Sequence, residues 1–173
     1  MSSPSAPRIK PPAVRSGDTV GIVAPASNLK RADLEAGCEG LRRAGYRPFY
    51  FDSILAQNIY FAGSVERRTR ELEAMFARED VKAIVCARGG YGANYLLEAL
   101  DLEKIKSHPK IFVGYSDLTT LLTYFSDVGG FVTFHGPMVA KDWAHGDGVH
   151  LASWQAALAA NMSWELDADT APE

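Results

Sequence analysis

Apolar positions recur along this chain in two alternating rhythms. Compact apolar or β-branched runs at Thr19–Ala24, Arg47–Phe51, Val81–Ala87, Ile111–Tyr115 and Phe131–Phe134 predict five strands. Helical spacing predicts Leu29–Ala44, with Leu34, Cys38 and Leu41 on one face, and Val65–Arg78, with Leu72, Met75 and Phe76 as its stripe. Three further helices are predicted at Ala93–Leu100, Leu118–Asp127 and Val149–Ala160. The punctuation agrees. Pro25 breaks the first strand, Ser27 or Asn28 offers the next helix a cap, Gly45 ends that helix, and Ser64 caps the second. Asp52–Gly63 reads as a longer loop and Asp101–Lys110 as a polar connection.

Strands that alternate with helices predict an α/β fold. The expected form is a three-layer, doubly wound sheet of about five mainly parallel strands with helices on both faces. Flavodoxin-like and amidotransferase-like arrangements both have this form. Residues 1–15, rich in Ser and Pro, are expected to be a disordered or extended tail, and 16–163 the α/β domain. Residues 164–173 are acidic, end in Ala171, Pro172 and Glu173, and read as the start of a linker.

Composition narrows the function classes. The 173 residues fit one domain, and 47% of them are apolar, enough for a core. A formal net charge of −3 argues against nucleic acid, because a phosphate-binding face needs a basic excess. No apolar run approaches the ~20 residues that span a bilayer, and Met1–Arg15 holds no stretch resembling a secretory signal. Cys38 and Cys86 lie far apart without metal or redox spacing. They read as small buried apolar residues in a reducing, cytoplasmic setting. Trp143, Trp154 and Trp164 read as packing anchors.

Four marked loops follow predicted strand ends: Ala24–Ser27, Arg88–Gly92, Tyr115–Asp117 and His135–Met138. In a parallel sheet all four lie on one edge, where open α/β folds place their chemistry. Ser116 stands between a strand and a helix. A serine there can cap the helix, or it can be a nucleophile on a sharp turn. Gly114 two residues earlier favours the turn; Leu118, in place of the second glycine of G-x-S-x-G, favours the cap. At a sharp turn the Asp117 amide would be placed to stabilise an oxyanion. Gly89, Gly90 and Gly92 allow positive φ and a nest of amides for an anion, without the spacing of a dinucleotide fingerprint. Arg88 suits a carboxylate or phosphate, or else a surface ion pair. His135 is either a general base or a residue that orders its loop. Two classes stay open on this reading: a hydrolase, and a non-catalytic module that binds an anionic small molecule at the strand ends.

Val20–Ser27, Arg88–Gly92, Gly114–Asp117 and His135–Met138 occur in an order and at separations that resemble the LD-carboxypeptidase family of serine peptidases. That family includes the microcin C self-immunity peptidases, and the resemblance runs from Lys10 to Leu166. It implies a cytoplasmic bacterial hydrolase that cuts an L,D-peptide bond. The product is the terminal D-alanine of a murein tetrapeptide, released in peptidoglycan recycling. Hydrolysis of an aminoacyl or peptidyl adenylate is the alternative within the family. The resemblance further implies a Ser-Glu-His triad, with no metal or other cofactor. Ser116 matches the nucleophile, and the amides of Asp117 and Gly90 match the oxyanion hole. Arg88, Gly89, Tyr91, Tyr115 and His135 are the expected substrate-binding residues. In the family the glutamate and histidine come from a carboxyl-terminal domain, and none of the four histidines here matches that histidine. The chain is therefore expected to be the nucleophile-bearing half, inactive alone, with that second domain as its partner. Self-association of the face left for that domain, as a homodimer or aggregate, is a further expectation.

Overall fold

A computed structural model describes residues 7–159. Five strands form one parallel sheet in the order β2-β1-β3-β4-β5. They are β1 (Thr19–Val23), β2 (Arg47–Phe49), β3 (Val81–Cys86), β4 (Ile111–Gly114) and β5 (Phe134–His135). Helices α1 (Arg31–Arg43), α2 (Val65–Ala77), α3 (Leu102–Lys106), α4 (Thr119–Asp127) and α5 (Leu151–Leu158) cover both faces. This is the α/β architecture that the alternation of periods implies.

The pleat assigns the core. Successive strand side chains point to opposite faces. Val20, Ile22, Val85 and Val113 therefore pack with Leu34, Cys38 and Leu41 of α1 and with Trp154 and Leu158 of α5. Val23, Ile84, Cys86 and Phe112 pack with Leu72, Met75 and Phe76 of α2 and Leu121 and Phe125 of α4. On that second face Phe76, Phe112, Phe125 and Phe131 meet ring to ring, at centroid distances of 5.1–6.0 Å. Both cysteines are buried and free. Burial pushes the Cys38 thiol up to about 11 and the Cys86 thiol higher still.

Four local expectations need correction. Neither Ser27 nor Asn28 caps α1, which starts after Lys30 without a side-chain cap. The Ser27 hydroxyl instead accepts from the Tyr91 amide, and the Asn28 side chain donates to the Ile59 carbonyl. The helix expected at Ala93–Leu100 is only a 3-10 turn, Ala93–Leu96, following left-handed Gly92. The polar connection after it contains α3, because the Asp101 carboxylate accepts from the Lys104 amide and caps a short helix there. The last strand is shifted to Phe134–His135, while Phe131 forms an isolated bridge with Ile9.

Residues 7–15 run along the domain: Val14 is buried and Arg8 pairs with Asp127 at 2.7 Å. The expected linker at 164–173, with Trp164, lies outside the described residues. Trp143 and Trp154 pack edge to face at 5.1 Å as buried anchors. Close approach between α1 and the loop beyond β5 explains two glycines. A Cβ at Gly37 or Gly40 would overlap the carbonyl of Val139 or Trp143. No helix among the described residues is long and apolar enough to cross a membrane.

Candidate active site

The strand order reverses direction between β1 and β3, the switch point where doubly wound folds open a crevice at the strand carboxyl ends. The loops after β3, β4 and β5 converge beside it. Together with the start of α1 they line a cavity of about 370 Å³, with Leu29, Asp33, Arg88, Gly89, Gly90, Tyr115, Ser116, Met138, Ala140 and Lys141 in its wall.

The Ser116 turn decides between the two local readings of that serine. Tyr115 is extended, Ser116 sits at φ 62°, and a 3-10 turn, Ser116–Leu118, leads directly into α4. The left-handed region costs an L-residue about 1–2 kcal/mol, so the surroundings must hold it there. Ser116 does not cap the turn or α4. The capping positions are Tyr115 and Leu118, and neither bears a side-chain cap. The side chain is exposed and opens into the cavity.

Two glycines leave room for this turn. A Cβ on Gly114 would press on Leu118 and Cys86, at 3.1 and 3.3 Å. A Cβ on Gly89 would come within 3.2 Å of the Ser116 Cβ. Gly89 therefore passes beside the serine with little room for a side chain, and the Gly90 amide follows immediately.

The glycine loop is anchored from below. Gly90 has φ 113°, and a Cβ there would overlap the Ser27 hydroxyl. That hydroxyl is buried and accepts from the Tyr91 amide at 3.1 Å. The Asp117 carboxylate accepts from the Ala93 amide at 2.9 Å, tying the Ser116 turn to the glycine loop. Arg68, on α2, is 2% exposed. Its Nη1 donates to the carbonyls of Pro25 (2.8 Å) and Gly92 (2.9 Å), joining the loops after β1 and β3. Its guanidinium also lies 5.0 Å from the Phe61 ring centre. Burial pulls the Arg68 pKa below its usual value, and the Asp117 charge works against that shift. Arg67 makes a second tie: it donates to the Ser53 and Ala24 carbonyls and pairs with buried Glu71 at 3.2 Å. Burial lowers the Arg67 pKa and raises that of Glu71, which also accepts from the Ser53 hydroxyl.

Of the residues singled out in the sequence, Arg88, Gly89, Gly90, Tyr115 and Ser116 share the cavity wall. Asp117 stands behind it, holding the glycine loop through its carboxylate. Tyr91 lies outside the cavity, half-exposed, with its hydroxyl 3.0 Å from that of Tyr95. His135 lines a neighbouring, more apolar cavity of about 330 Å³ with Phe134, His150 and Trp154. Its ring centre is 5.7 Å from that of Tyr115. Among the described residues no histidine lines the Ser116 cavity.

Sequence reasoning missed Lys141, Asp33 and the two buried arginines. Arg68 left a signal: positions 68, 72, 75 and 76 share one helical face, so a charge sits on the apolar stripe of α2. Lys141, three residues beyond Met138 in an irregular loop, left none.

Comparison with known proteins adds to this geometry. Residues 20–136 match the family model described as the LD-carboxypeptidase N-terminal domain. A probable murein peptide carboxypeptidase of Bacillus subtilis (strain 168) is 41% identical over 133 residues, 77% of this chain and 42% of that protein. The microcin C7 self-immunity protein MccF of Escherichia coli is 33% identical over 124 residues, 70% of this chain and 36% of that protein. A solved structure of MccF in its wild-type apo state superimposes with a TM-score of 0.84 at 25% identity, over 91% of this chain and 50% of that one. The chain thus spans well under half the length of the two curated relatives it matches here.

Proposed function

The chain belongs to the LD-carboxypeptidase family, and on that premise we propose that it carries the nucleophile of a serine carboxypeptidase. The reaction we assign is hydrolysis of an L,D-peptide bond that releases the terminal D-alanine of a murein tetrapeptide, in cytoplasmic peptidoglycan recycling. The observation that carries this reading is Ser116. A non-glycine residue stands at φ 62° on a strand-to-helix turn, and its side chain faces a cavity instead of capping a helix. Strain of this kind persists where the surroundings enforce it, and such sites are often functional.

In this mechanism the Ser116 Oγ attacks the scissile carbonyl carbon while a general base takes its proton. The carbonyl oxygen becomes an oxyanion. It accepts from the Asp117 amide, an unpaired donor in the first helical turn, and from the Gly90 amide beside the serine. Arg88 binds the substrate's free carboxylate. The protonated base then gives its proton to the departing amine of D-alanine. Water, activated by the same base, hydrolyses the acyl-enzyme and restores Ser116. A serine hydroxyl needs such a base at neutral pH. Following the family resemblance, we assign that role to a histidine oriented by a glutamate, both from a second domain of the longer protein. The relatives' greater length supports this division.

The similarity to MccF supports a second reading, hydrolysis of an aminoacyl or peptidyl adenylate by the same serine. One assay separates the two. The full-length protein is given murein tetrapeptide and an aminoacyl adenylate in parallel, and released D-alanine and AMP are measured. D-alanine release from the first is expected, and Ser116→Ala should reduce it roughly 10⁴-fold or more without unfolding the protein. A folded variant that keeps the wild-type rate would remove Ser116 from the mechanism.

A further inference from the structure

Three charged side chains line the Ser116 cavity: Arg88, Lys141 and Asp33. β4 delivers Ser116, and Arg88 follows the neighbouring strand β3. The loop after β5 returns to that same strand end, its Val139 and Ala140 amides donating to the Cys86 and Ala87 carbonyls, so Lys141 and Arg88 both stand by the β3 end beside the serine. Among the described residues neither forms an ion pair. Arg88 Nη1 donates to the Asn28 carbonyl at 3.2 Å.

Lys141 stands on a braced floor. Its Nζ lies 5.1 Å from the centre of the Tyr115 ring, the residue immediately before the serine. The Tyr115 hydroxyl donates to Oδ1 of Asp142 at 3.2 Å, and Oδ2 of Asp142 accepts from the Met138 amide at 2.8 Å. The nearest acid in sequence is therefore engaged at both oxygens. The side-chain interaction with Tyr115 pushes the Lys141 pKa above its usual value, so the ammonium stays charged.

We propose that Lys141 is a substrate-binding residue which, with Arg88, holds the free carboxylate of the departing amino acid. This rests on the carboxypeptidase reading above. In a carboxypeptidase that carboxylate lies one residue beyond the scissile carbonyl, so its partner must share the cavity with the nucleophile. Two cations without an ion-pair partner, side by side in the cavity wall that also holds Ser116, meet that requirement. They also select for a chain end over an internal peptide bond, which brings no carboxylate for them to bind.

The test uses the full-length protein and two murein tetrapeptides, one ending in D-alanine and one in D-alanine carboxamide. Release of D-alanine or its amide gives kcat/KM for each. The wild type should prefer the acid. In Lys141→Met that preference should fall about tenfold, mainly through KM, as expected for losing one charge-assisted hydrogen bond. Lys141→Arg should restore most of it. A parallel fall on both substrates, or an unchanged preference, would overturn the assignment. The outcomes separate this proposal from the reading beneath it. If the wild type releases neither product yet hydrolyses an aminoacyl adenylate, the carboxypeptidase reading fails. If that hydrolysis then slows in Lys141→Met, the lysine serves a phosphate, and the carboxylate assignment fails with it.

Discussion

Ser27 and Ser116 look alike in the sequence. Each follows a strand of the same sheet, on the same edge, and each precedes a helix. The structure uses them in opposite ways. Ser27 is 2% exposed; its amide donates to the Gly89 carbonyl and its hydroxyl accepts from Tyr91. It shapes the glycine loop and is not in the wall of the Ser116 cavity. Ser116 is exposed, held at φ 62°, and lines the cavity wall. One hydroxyl maintains a loop, and the other is left available. Residue type and position on the sheet do not separate them. What separates them is whether a neighbouring backbone arrives to use the oxygen.

Substitutions can break that contrast in both directions. The largest effect is the one on Ser116: alanine should remove turnover, as above, while leaving the melting temperature within about a degree or two, because no cap is lost. Next is Arg68→Met, which leaves the Pro25 and Gly92 carbonyls without their donor in a buried setting. It should cost about 3 kcal/mol in urea unfolding, two charge-assisted bonds being lost. A stability loss below about 1 kcal/mol would show that these bonds do not hold the two loops together. Ser27→Ala is the mirror of Ser116→Ala. It should cost about 1 kcal/mol in stability and a few-fold in kcat, through a looser Gly90 turn. If its kcat fell as far as that of Ser116→Ala, the division between the two serines would be wrong. The smallest effect has the opposite sign. Ser116→Gly relieves the left-handed backbone and should raise stability by about 0.5–1 kcal/mol in an inactive protein.

Much of the fold was legible because periodicity is local. Leu72, Met75 and Phe76 announce the buried face of α2, and the β-branched run into Val23 announces β1. Where tertiary partners compete with local signals, the reading slipped. Ser27 has the chemistry of a cap, but the Tyr91 amide, 64 residues away, takes its hydroxyl. Ala93–Leu100 has helical composition, yet only one tight turn forms there, Ala93–Leu96, entered from left-handed Gly92. Phe131 reads as a strand residue, but its bridge is with Ile9 rather than within the sheet.

The sequence by itself determined the layers, the parallel order of strand and helix, and most of the loops that line the Ser116 cavity. These follow from hydrophobic period and from glycine and proline punctuation, which act over a few residues. Only the tertiary structure decided how Ser116 is held. Its turn stands where Gly89 brings no side chain against it and where Asp117 grips the next loop. Only the tertiary structure placed Lys141 over Tyr115, by the strand end that carries Arg88, and set His135 on a different cavity. Those outcomes depend on which chain segments meet in space, and a local pattern carries no record of that.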